Sequence, residues 1–95
     1  MAWAYDRETE ADYRAADQGV RFWFDDQEDG RRVALVIGNP ALQRLGGHGD
    51  SARMLEIFEA HEARIIAGAV ALLHRNAAPP IPQPLRLDFD DLPPA

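Results

Sequence analysis

One stretch constrains the rest of the chain, running from Asp50 to about Asn76. At roughly 100° per residue, Met54, Leu55, Phe58, Ile65, Ile66, Ala69, Leu72 and Leu73 gather on one side of a cylinder. Arg53, Glu56, Ala60, Ala63, Arg64, Ala67 and Ala71 fill most of the other. This pattern predicts one long amphipathic helix, the spine of a small domain. Asp50 or Ser51 is placed to cap it, since a short side-chain oxygen can accept from a free first-turn amide. Asn76, then Pro79 and Pro80, mark its end, because proline cannot continue a helix.

Before that helix the period is two. In Val20–Asp25, Val20, Phe22 and Phe24 alternate with Arg21, Trp23 and Asp25. In Arg31–Ile37, Val33, Leu35 and Ile37 alternate with Arg32, Ala34 and Val36. The polar link Asp26–Gly30 ends in the residue that readily takes a positive φ, so the two runs predict an antiparallel hairpin. Asn39-Pro40 reads as N-cap and first position of a short helix over Ala41–Leu45, and Gly46-Gly-His-Gly49 links it to the long one. Past the helix, Pro79, Pro80, Pro82 and Pro84 predict an extended run. Leu85, Leu87 and Phe89 then alternate with Arg86 and Asp88, predicting a third strand. Residues 1–19 show no sustained period and read as an acidic, irregular arm carrying Trp3, Tyr5 and Tyr13. Residues 20–91 form the domain, and 92–95 a frayed tail.

The expected fold is therefore α+β: a three-stranded, mainly antiparallel sheet, made of the hairpin and the C-terminal strand. It packs against one long and one short helix. The order and several residues resemble the small bacterial family known as domain of unknown function 1488. The residues that carry the likeness are Val20-Arg-Phe22, Gly30-Arg-Arg-Val33, Ala41-Leu42, Phe58, Arg64-Ile65 and Asp88-Phe89, and it extends over roughly residues 5–91. The proline-rich connection Ala78–Pro84 departs from the family's usual pattern. The resemblance implies a compact α+β fold and brings no established activity and no catalytic residues.

Charge and composition narrow the function classes. Residues 1–30 hold nine acids against three arginines, which accounts for the whole formal charge of −6. Such a front disfavours binding driven by nucleic-acid phosphates. With no cysteine, disulfides, thiolate metal sites and a cysteine nucleophile are excluded. No apolar run reaches the ~18 residues that a membrane span needs, and no signal segment opens the chain, so a cytoplasmic protein is expected.

Candidate chemistry is sparse. Gly46–Ser51 precedes a helix N-terminus, where anions are favoured, but lacks the lysine and spacing of a phosphate loop. His48, His61 and His74 are not spaced as ligands on one helix, so no metal, cofactor or catalytic residue is assigned. Glu62 is placed oddly, near the middle of the helix's apolar stripe. A carboxylate there is costly unless paired, and an arginine from the sheet or the arm is the expected partner. Trp23 falls on the sheet face opposite Phe22 and Phe24, beside Arg21, Arg32 and Arg86. An aromatic among arginines can anchor a protein partner or stack on a base, unless Trp3, Tyr5 or Tyr13 folds over it. The expectation is a small non-enzymatic accessory or protein-interaction domain, with a second copy or an unidentified protein as partner. A nucleic-acid module on the Trp23 face is the alternative, and small-molecule enzymology around Glu62 or His61 the least supported.

Overall fold

The computed structural model describes residues 2–76 and 83–94. The proline run at Pro79, Pro80 and Pro82 lies outside the described residues. The hairpin is formed by β3 (Gly19–Asp26) and β4 (Arg32–Gly38), with Phe22 opposite Leu35 and Phe24 opposite Val33. Alternating aromatic and branched residues favour this pleated pairing, because each second side chain enters the same core. Val20, Phe22, Phe24, Leu35 and Ile37 are completely buried. Full burial of such side chains contributes about 1.5–3 kcal/mol each.

The sheet has five strands rather than the expected three. Within the expected irregular arm, β1 (Trp3–Tyr5) and β2 (Asp12–Arg14) both pair antiparallel with β3, β1 along its end and β2 along its start. Each has only three residues, too few to show a period. The C-terminal strand β5 (Leu85–Leu87) joins β4 in parallel, Leu35 opposite Leu85 and Ile37 opposite Leu87, so the sheet is mixed. A parallel neighbour needs a long crossover, and the helical segment between β4 and β5 provides it. Phe89, expected at the end of this strand, instead starts a single 3-10 turn over Phe89–Asp91.

Three helices cover one face of the sheet. The short helix α1 (Asn39–Gly46) forms as expected, but its N-cap is Gly38. The Asn39 side chain instead donates to the Tyr13 hydroxyl at 2.9 Å. The expected long helix is two, α2 (Ser51–Ala60) and α3 (Glu62–Arg75), parted at His61, where φ is −116° and ψ 21°. Asp50 is the cap of α2, its carboxylate accepting from the Arg53 amide at 2.9 Å. The break has a physical cause. In an unbroken helix His61 and Glu62 would continue the stripe of Met54, Ile57 and Phe58 into the core, where a carboxylate is costly. Ile57, outside the expected stripe, is buried as well and fills the space beside Gly46, where a Cβ would lie 2.6 Å from its Cγ1.

The segment from Asp91 to Pro93 is tied to α3. Leu92, expected to fray, is 7% exposed and lies against Gly68 of α3. Arg64 donates to the Pro93 carbonyl at 2.6 Å, and Arg75 pairs with Asp91 at 2.9 Å. The guanidiniums of Arg44 and Arg64 lie over Phe89 at 3.9 and 5.4 Å from its ring centre.

The turn closing the hairpin is organised by Asp26, a carboxylate only 1% exposed. It accepts from the Glu28 amide at 3.0 Å, the Ala2 amide at 3.3 Å and the Arg31 guanidinium at 3.3 Å. These donors hold its pKa below the usual carboxylate value, the Glu28 amide contributing most, against the opposing effect of burial. Asp6 is likewise lowered, first by the Thr9 hydroxyl. A carboxylate depressed in the folded state adds stability above its unfolded pKa, lost as pH falls through the folded value. Stability is therefore expected to be level near neutrality and to fall below about pH 4. D26N should lower the neutral plateau and flatten the acid limb in melts taken across pH. An unchanged acid limb would assign the loss to other groups.

Candidate interaction surface

The helices leave the second face of the sheet to Arg21, Trp23 and Asp25 of β3, Arg32, Ala34 and Val36 of β4, and Arg86 of β5, as period two and the register dictate. Trp23 is half-buried and lies between two guanidiniums, with Arg32 at 4.7 Å and Arg21 at 5.4 Å from its ring. Arg32 extends across the indole to the loop after β1. It pairs there with Asp6 at 2.9 Å and donates to the Thr9 hydroxyl at 2.7 Å, with Asp25 at 3.9 Å. That loop is held by a turn legible as Asp6-Arg-Glu-Thr9, since the Asp6 carboxylate accepts from the Glu8 and Thr9 amides and the Thr9 hydroxyl. Arg32 is thus neutralised and acts as a clamp on the indole.

Arg21 and Arg86 are different. Arg21 forms no ion pair among the described residues, its Nε is buried without an acceptor, and its register neighbour Asp12 turns to Arg14 at 3.5 Å. Arg86 donates to the Asp17 carbonyl at 3.1 Å and has no carboxylate partner among the described residues. Its guanidinium passes over Gly38, where an added Cβ would lie 3.0 Å from Nη2. Between them in register sits Val36, completely buried although it faces away from the helices.

The aromatic residues of the N-terminal strands do not fold over Trp23. Tyr5 is opposite Phe24, and Tyr13 is opposite Val20, on the helix side of the sheet. The Tyr5 ring contacts those of Phe22 and Phe24 at 6.3 and 5.6 Å.

Glu62 lies on that opposite side, at the rim of a cleft of about 270 Å³ lined by Tyr5, Arg7, Thr9, Phe58 and Glu59 among others. The break at His61 turns it toward the N-terminal loop, where Arg7 pairs with it at 2.6 Å, the side chains being 69% and 32% exposed. Arg7 also lies over the Tyr5 ring at 5.2 Å. The Tyr5 hydroxyl is raised above its ordinary pKa, chiefly by burial and then by Glu62. Arg7, an arginine of the N-terminal arm, is the partner, and it makes Glu62 half of an open ion pair, of the kind that contributes at most about 1 kcal/mol. His48 and His74 are exposed, and His61 stands at the helix break, so the three do not meet. Asp50 fills the anion position at the start of α2 with its own carboxylate. Among the described residues no helix is long and apolar enough to cross a membrane.

No protein-family model matches the chain, and no curated protein does. A crystal structure of a protein of unknown function from the domain of unknown function 1488 family, from Shewanella loihica PV-4, has the same fold. Its TM-score is 0.75 over 92% of each chain, at 17% identity. The likeness is one of fold, and it matches the family resemblance carried by the residues.

Proposed function

We propose that the chain is a small, non-enzymatic, cytoplasmic interaction domain that docks a protein partner, or a second copy of itself, on the face centred on Trp23. The observation that carries this reading is the indole held between Arg21 and Arg32 on a face that the helices leave open. Tryptophan and arginine are the residue types that dominate binding energy at protein interfaces. The nucleic-acid alternative draws on the same stacking chemistry. It is weaker, because Arg32 is already paired with acids and the chain carries −6 overall. The cleft at Glu62 plays no part in this reading, since Arg7 engages its carboxylate.

Trp23→Ala is the direct test. It should cost about 1–2 kcal/mol, the scale of two cation–π contacts and partial burial, and leave the fold intact. It should also abolish association, measured by sedimentation over a range of concentrations and by capture from nuclease-treated lysate beside wild type. Identical association in both proteins would refute the docking face.

A further inference from the structure

The outer face carries a more specific implication, which rests on the docking reading and names its partner. We propose that Arg21 and Arg86 form a carboxylate-binding pair, so that this face takes an extended acidic peptide segment with an apolar side chain against the edge of the Trp23 indole that the two guanidiniums leave uncovered.

Of the arginines on this face, Arg32 is satisfied by Asp6, Thr9 and Asp25. Among the described residues, Arg21 has no acceptor for its buried Nε, and Arg86 donates to a backbone carbonyl and has no carboxylate partner. The Nε is closed to a ligand, but the half-buried Arg21 leaves the rest of its guanidinium without a carboxylate among the described residues, and a planar carboxylate matches the fork of a guanidinium. The two sit in one row, Arg21 on β3 and Arg86 on β5, with Val36 of β4 between them. Two strand spacings place their backbones roughly 10 Å apart. Side chains on one face of an extended peptide repeat every two residues, or about 7 Å, so nearby acids of one segment can reach both, given the length of arginine. Trp23 lies two residues along β3 from Arg21 on the same face, within reach of the segment's neighbouring side chain.

Charge decides between peptide and nucleic acid. Affinity for a nucleic-acid backbone grows with the number of phosphates neutralised, commonly about six to ten. Here two guanidiniums without acidic partners stand among Asp12, Asp17 and Asp25 on a chain of net charge −6. Two carboxylates can be served by two arginines, whereas a polyanion would meet the surrounding acids.

The experiment is selection of a random twelve-residue peptide library on the whole protein, with Trp23→Ala as counter-target. Enriched peptides are then titrated into labelled protein while the Trp23 indole and Arg21 Nε–H resonances are followed by NMR. The expected result is enrichment of aspartate or glutamate beside an aromatic or aliphatic residue, with both resonances shifting. R21Q and R86Q should each weaken binding roughly tenfold, R21K less, while melting curves stay near wild type. Enriched peptides without acids, or binding indifferent to R21Q and R86Q, would overturn the carboxylate assignment and leave the docking reading standing. No enrichment over Trp23→Ala, with no shift of the indole, would overturn the peptide proposal, while the docking reading stands or falls on the sedimentation and capture measurements. A dodecamer of thymidine that shifts the indole where no peptide does would replace this proposal with the nucleic-acid reading.

Discussion

Replacing Phe58 with alanine is expected to destabilise the protein by about 3–5 kcal/mol, the usual cost of emptying a large aromatic site. A chain of this size has a total stability of about 5–15 kcal/mol, so the variant should be largely unfolded under mild denaturant. Phe58 is fully buried, its ring 5.2 Å from that of Phe22, and it joins α2 to the centre of the sheet. It also stands three residues before the break at His61, where helix and N-terminal loop meet. The vacated space can close only if α2 shifts toward β3, which the other side chains packed between them resist. Urea denaturation gives the measurement, and a midpoint close to wild type would mean that α2 does not pack as described.

Gly19→Ala is expected to cost about 1–3 kcal/mol or more, although it adds only a methyl group. Gly19 pairs with Gly38 at the open end of the hairpin. A Cβ there would press into the Ile37 carbonyl oxygen and stand 2.9 Å from the Gly38 Cα. Those neighbours are backbone, so the strands must separate for the methyl to fit. Gly38→Ala is the internal comparison. Its Cβ would meet the tip of Arg86, which can move, at 3.0 Å. It should therefore cost much less while displacing Arg86. Equal losses in denaturation midpoint for both variants would refute the asymmetry.

The hairpin and the division of its faces were legible because runs of six and seven alternating residues leave no other period consistent with them. Trp23 was legible as a residue of the outer face for the same reason. The N-terminal strands were not, since Trp3 and Tyr5 are a single alternation among acids. Only pairing with β3 makes them strands. The helix break was half-visible: Glu62 in the apolar stripe was the anomaly, and the chain bends at His61 and pairs the half-buried carboxylate with Arg7 of the N-terminal segment. The parallel direction of β5 is a property of the crossover and has no signature in Leu85–Leu87. The identity of the Glu62 partner was hidden because Arg7 lies 55 positions away, in a segment whose placement depends on β1. Leu92 looked like part of a tail because nothing local shows that Gly68 leaves room for it.

The parallel pairing of β5 also orders the assembly of the fold. The hairpin closes a loop of a few residues, whereas joining Leu85 to Leu35 closes one of about fifty. On chain statistics the longer closure costs roughly 2 kcal/mol more, and no local contact offsets it until the helices have docked. On this ground the sheet is expected to grow outward from β3 and β4, with β5 joining after the hairpin and held by the Arg64 and Arg75 contacts to the C-terminal segment. Until then β4 presents an unpaired edge, the part of a nascent sheet most prone to pairing with another chain. Arg86 travels with β5, so the outer face is complete only once β5 has joined, and any opening that releases the C-terminal segment takes half of the arginine pair with it.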